Sequence, residues 1–122
     1  MFRFEGLDIW NRSIQVTDQL FDIADCIHEK HNFRFADQLR GAALSISNNI
    51  AEGSGSSSKR DSCLFLNYAH RSVFETVNMV MIAHRRRFIH ETQVVVIKRE
   101  LEEISKMITG FSKSLSSQRS KL

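Results

Sequence analysis

Residues 92–117 read TQVVVIKRELEEISKMITGFSKSLSS. Within them Val94, Ile97, Leu101, Ile104, Ile108, Phe111 and Leu115 recur at steps of 3, 4, 3, 4, 3 and 4. That is the heptad spacing of a helix with one continuous apolar seam. Val94 to Ile97 alone fits a strand, but the seam that follows decides for a helix over 92–117. A helix this long and one-sided must bury its seam against other helices.

The rest of the chain supplies them. Residues 7–31 predict a helix whose inner stripe is Leu7, Trp10, Ile14, Thr17, Phe21, Ala24 and His28. Asp18, Asp22, Asp25 and Glu29 form its acidic outer face, and Asn32 is its expected left-handed stop. Residues 34–52 predict a second helix with Phe35, Leu39, Ala42, Ile46, Asn49 and Ile50 inward. Its small residues Ala42, Ala43 and Ser45 permit a close neighbour, and Gly53 is expected to cap its C-terminus. The connector Gly53–Ser58 is followed by a third helix over 59–87, with Ser58 as N-cap and Asp61 as its capping-box partner. This helix carries two stripes. The first is Leu66, Ala69, Val73, Thr76, Val80 and Ala83; the second is Phe74, Val77, Met81, His84 and Phe88. A helix apolar on two faces is central or is covered by a partner. Short connections between four helices predict an all-α, antiparallel up-down-up-down four-helix bundle forming a single domain over 1–122.

Composition agrees. The 122 residues include no proline and five glycines, and 42% are hydrophobic. A many-stranded β-sandwich needs far more turn residues. No stretch is long and apolar enough to span a membrane, and no signal peptide is expected. Two cysteines, Cys26 and Cys63, are too few for a disulfide scaffold, so a reduced, cytoplasmic protein is expected.

The net charge of +3 is unevenly spread. Residues 1–31 carry three basic and six acidic side chains, whereas residues 59–90 carry six basic and two acidic. This suits a phosphate-bearing partner, self-association of opposite faces, or simply solvated helices. Arg85-Arg86-Arg87 is the sharpest charged feature. Successive helical positions turn by about 100°, so the three cannot share a face. They either complement the helix dipole or, with Lys59, Arg60 and Arg71, contact nucleic-acid phosphates.

No catalytic residue, metal site or cofactor is expected. A di-iron bundle needs two Glu-x-x-His motifs and the chain has none; Asp25-Cys26-Ile27-His28 is a single loose analogue. His28 and His31 are expected to cover the end of helix one. The serine-rich connector lacks the order and the preceding strand of a Walker loop.

The segment Gln38-Leu39-Arg40-Gly41-Ala42-Ala43-Leu44-Ser45-Ile46-Ser47-Asn48-Asn49-Ile50-Ala51-Glu52-Gly53 resembles the signature of the four-helix bundle proteins encoded in 23S ribosomal RNA intervening sequences. Phe65-Leu66, Ala69, Ser72 and Glu75 extend the resemblance, as do Leu7, Trp10 and the pattern from Glu102 to Leu115. It implies an antiparallel bundle that assembles into a homopentamer, without enzymatic activity. The similar accessory protein of diversity-generating retroelements implies RNA or DNA binding and a reverse transcriptase as partner. A protein-interaction scaffold with no nucleic-acid role is the alternative. The chain departs from the family pattern at Gly41, Ser47, Asn48 and Arg71. Relatives commonly carry proline where Ser47 stands, so helix two is expected to be straighter here. Asn49, Glu52 and Gly53 form the motif's core. They read either as an interhelix latch, with Arg40 or Arg60 facing Glu52, or as a binding site.

Overall fold

The computed structural model describes residues 1–120, with side chains to Ser117; Lys121 and Leu122 lie outside the described residues. Four helices follow a short 3-10 turn at Arg3–Gly6: α1 (Asp8–Glu29), α2 (Phe33–Ser54), α3 (Lys59–Arg85) and α4 (Glu91–Ser120). At about 1.5 Å per residue they are roughly 33–45 Å long. α1 packs on α2, α2 on α3, α3 on α4, and α4 closes back on α1 along a thinner seam. This is the expected antiparallel four-helix bundle. None of the described helices is long and apolar enough to cross a membrane.

The core is aliphatic. Leu20, Ile27, Leu39, Ile46, Ile50, Leu101, Ile104 and Ile108 are its largest fully buried side chains. The α4 seam holds from Val94 to Ile108, but Phe111 is partly exposed. A straight helix drifts about 20° per heptad against a 3.5-residue repeat, and α4 outlasts its neighbours.

The buried stripe of α1 differs from the expected one. It runs through Ile9, Val16, Leu20, Ile23 and Ile27, sharing Thr17 and Ala24 with the prediction. Trp10, Ile14 and Phe21 sit at the flank and His28 is exposed. Branched aliphatic residues fill the narrow bundle centre, while the wide aromatic rings lie at its edge, where the Phe4 ring meets Trp10 at 4.9 Å.

The caps also moved. His31, with φ 66°, is the left-handed residue after α1, and Asn32 starts α2 instead. Gly53 lies inside α2, which continues to Ser54, and Gly55 follows it in right-handed geometry. Ser58 caps α3 as expected, its side chain accepting from the Asp61 amide at 3.0 Å. α2 runs unbroken through Ser47, whose hydroxyl donates back to the Leu44 carbonyl at 3.3 Å.

Two carboxylate–guanidinium bridges tie neighbouring helices. Arg12 on α1 donates twice to Glu100 on α4, at 2.8 and 2.9 Å. Arg40 on α2 donates to Asp25 on α1 at 2.7 Å and to Asp37 at 3.0 Å. These hydrogen bonds, to Glu100 and Asp25 respectively, raise both guanidinium pKa values above the ordinary arginine value.

The glycines give a stability test. A Cβ at Gly53 meets Phe65 Cβ at 3.2 Å and the Ser62 carbonyl at 3.3 Å, whereas one at Gly41 meets nothing within 4 Å. Gly53→Ala should destabilise by about 1–3 kcal/mol through overpacking. Gly41→Ala should stabilise by about 0.5–1 kcal/mol, because alanine is the better helix former. Chemical denaturation of the two variants checks the opposite signs.

Candidate nucleic-acid interface and interhelix latch

The motif of α2 meets α3 at two places. Near the chain connection, the Ser62 hydroxyl donates to the Gly53 carbonyl at 2.8 Å. This is possible because Gly53 has no side chain and lets the Phe65 side of α3 approach. Two turns further on, the Ser72 hydroxyl donates to Ser45 Oγ at 2.8 Å. Asn49 Nδ2 braces the same serine, donating to its carbonyl at 2.8 Å and to its Oγ at 3.0 Å. Asn49 is half-buried rather than core, so its bond is local to α2 and reaches α3 through Ser45.

Glu52 is not part of this contact. It is exposed, and among the described residues it joins neither Arg40 nor Arg60; Arg40 is engaged by Asp25 and Asp37 instead. The pairing expected for Glu52 within one chain is therefore corrected. The reason is register: Arg40 is more than three turns from Glu52 along α2, and faces α1.

The six basic candidates divide by position. Arg60, Arg71 and Arg85 are 11 and 14 residues apart, which returns each to nearly the same side of α3. All three are exposed. They form a row on the outer ridge of α3, with gaps of about 16 and 21 Å at 1.5 Å per residue. Lys59 lies off this row toward α4 and is half-buried; Arg86 is exposed at the C-terminal cap of α3. Arg87 stands beyond the helix with φ 63°. There the Phe88 amide donates to the Ala83 carbonyl at 2.9 Å, a left-handed helix termination built without glycine. Among the described residues none of the six is in an ion pair. The structure thus brings together Arg60, Arg71 and Arg85, and separates Arg85, Arg86 and Arg87 around a helix end.

The N-terminus of α3 is already occupied by groups of the chain itself. Ser58 already caps it, and the carboxylate of Asp61 occupies its first turn. His28 and His31 pack against the Phe33 ring, tilted at 4.5 Å and edge-on at 5.6 Å between ring centres. Among the described residues no group of three or more His, Cys, Asp or Glu side chains could hold a metal ion. His70 on α3 and Ser105 on α4 are hydrogen-bonded at 2.9 Å, a link between helices that the sequence pattern does not signal.

The family model described as 23S rRNA-intervening sequence protein matches residues 5–110. The chain belongs to the 23S rRNA-intervening sequence protein family. A crystal structure at 1.70 Å of a protein of unknown function from the S23 ribosomal protein family of Bacteroides thetaiotaomicron is similar to it, with a TM-score of 0.82. The two are 23% identical, over 86% of this chain and 98% of the other, so this likeness is one of fold. No curated protein matches the chain. Within this family member, the latch residues Ser45, Asn49, Gly53 and Ser72 all fall inside the matched span.

The left-handed arginine separates a structural role from a charge role. Arg87→Gly should raise stability by about 1 kcal/mol, since glycine takes positive φ without the Cβ penalty. Thermal unfolding of Arg87→Gly beside Arg87→Ala checks this, because only glycine relieves the strain.

Proposed function

We propose that this family member is a non-enzymatic, homo-oligomeric bundle, pentameric as the family resemblance implies, that binds RNA or DNA through the outer ridge of α3. The observation that carries the binding reading is the row of Arg60, Arg71 and Arg85, exposed and, among the described residues, in no ion pair with a carboxylate. Guanidinium groups free of acidic partners are available to phosphate, and a row along a rigid helix contacts a backbone at several points. Lys59, Arg86 and Arg87 extend the positive field at the two ends of the helix. The protein works in the cytoplasm with Cys26 and Cys63 as free thiols, both unpaired in the structure. By analogy a reverse transcriptase is the protein partner the resemblance adds.

The oligomer is supported by apolar surface. The second stripe of α3 is only partly covered within the chain: Val77 and Phe88 pack against the core, but Phe74 is 63% exposed and Met81 49%. The same observation favours the protein-interaction scaffold as the second reading.

Affinity for a short RNA or DNA probe, measured by fluorescence anisotropy across a salt series, separates the two. Binding through phosphates gives log affinity falling linearly with log salt. Replacing Arg60, Arg71 and Arg85 by alanine should lower that slope by about 2–3, at roughly 0.7–0.9 per lost contact. Replacing Arg85, Arg86 and Arg87 should lower it less, because only Arg85 lies on the row. An unchanged slope in both variants refutes the ridge as the interface and favours the scaffold. Light scattering should give a multiple of 14.1 kDa; particles of 14.1 kDa at micromolar concentration refute the oligomer.

A further inference from the structure

Antiparallel packing brings the α1–α2 turn and the α3–α4 turn to the same end of the bundle. Lys30 ties the two together: its ammonium donates to the Phe88 carbonyl at 3.4 Å and lies 5.9 Å from the centre of the Phe88 ring. The Phe35 ring meets Phe88 edge-on at 6.1 Å between centres. Residues 28–34 and 84–91 make up these turns and the helix ends beside them. They carry five lysines and arginines, Lys30, Arg34, Arg85, Arg86 and Arg87, against two carboxylates, Glu29 and Glu91. They also hold four of the chain's five histidines. All of these charged and imidazole side chains are exposed, and among the described residues none is in an ion pair.

At the α1–α2 turn stands an aromatic ring that the core does not use. Phe33, the first residue of α2, is 47% exposed. The imidazoles of His28 and His31 brace it, one tilted and one edge-on, which are favourable arrangements for aromatic pairs. We infer that this end of the bundle receives the unpaired bases of a single-stranded RNA or DNA, with one base stacked on Phe33 and its two imidazoles and the adjoining phosphates beside Arg34. This rests on the nucleic-acid reading of the α3 ridge and adds the form of nucleic acid that the protein takes. Three observations select a single strand. A duplex hides the faces of its bases, whereas an unpaired base offers a π-face that an exposed aromatic ring can stack, whatever the sequence. The ring cluster also sits within a positive field, from Lys30 and Arg34 on its own turn and from Arg86 and Arg87 on the other; single-strand binding combines the same two elements, a stacking platform and backbone-tracking charge. Finally, His31 takes φ 66°, a conformation that glycine adopts without the Cβ penalty, so its ring is kept beside Phe33 at a cost in stability. Arg85, the last member of the ridge, lies at this same end, so one strand can contact both surfaces.

Fluorescence anisotropy with two probes of equal length, an unstructured oligothymidylate and a DNA duplex, tests this. Phe33→Ala should weaken binding of the single strand about tenfold, the loss of one stacked base, and leave duplex affinity unchanged. Phe33→Trp should keep or raise single-strand affinity, because the wider ring stacks at least as well. His31→Gly should also weaken single-strand binding; it cannot act by unfolding the turn, since glycine takes the left-handed conformation more readily than histidine. Circular dichroism checks that each variant keeps its helicity. Wild type that binds the duplex but not the single strand overturns the platform and leaves the α3 ridge standing. So does a loss that is equal for both probes, or single-strand affinity unchanged in both Phe33→Ala and His31→Gly. Wild type that binds neither probe removes the ridge and the platform together.

Discussion

The close approach of α2 to α3 at Gly53 is the constraint on which the rest of the structure depends. A Cβ there would stand 3.2 Å from that of Phe65, so only glycine lets the Ser62 hydroxyl reach the Gly53 carbonyl. The contact fixes the separation of the two helices at one end, and the Ser72 to Ser45 bond fixes it two turns along. Two such polar bonds set the rotation of α3 about its own axis, which non-directional hydrophobic contact leaves loose. That rotation turns Leu66, Ala69, Val73, Thr76 and Val80 into the core and leaves the arginine row outermost. The position of the basic ridge is thus a consequence of a glycine on another helix.

α1 and α4 complete the bundle differently. Their seam is thinner, and its middle is held by the bidentate Arg12–Glu100 pair. Both partners are about one-third exposed, so solvent screens the pair and its contribution is of the order of 1 kcal/mol at most. The hydrophobic seam of α4 supplies most of the closure. Polar bonds therefore specify the α2–α3 side, while apolar area secures the α4 side.

Much of this was legible in the residues. The 3–4 spacing from Val94 to Ile108 located α4 and its buried face, and Leu66 to Ala83 located that of α3. The sequence was misleading where two stripes compete: on α1, counting Trp10 and Phe21 as core rotated the face by about one position, because periodicity does not weigh ring width against the narrow bundle centre. Helix ends were also displaced. Glycine is the common left-handed terminator, yet here His31 and Arg87 take that conformation and Gly53 and Gly55 do not. For the candidate site, composition exposed the basic bias of residues 59–90 but not its division. Arg85, Arg86 and Arg87 are adjacent in sequence and diverge in space, while Arg60, Arg71 and Arg85 are distant in sequence and align. The helical step shows that alignment only once α3 is known to run unbroken from Lys59 to Arg85.

The most direct test of the account follows arginine side chains individually by NMR, through their Nε–H resonances, as a short RNA or DNA duplex is added. Arg60, Arg71 and Arg85 should shift together with a common dissociation constant. Arg12 and Arg40 should stay in place, because Glu100 and Asp25 already hold them. Shifts confined to other arginines, or no shift at concentrations where the duplex is bound, would contradict the assignment of the α3 ridge as the nucleic-acid interface.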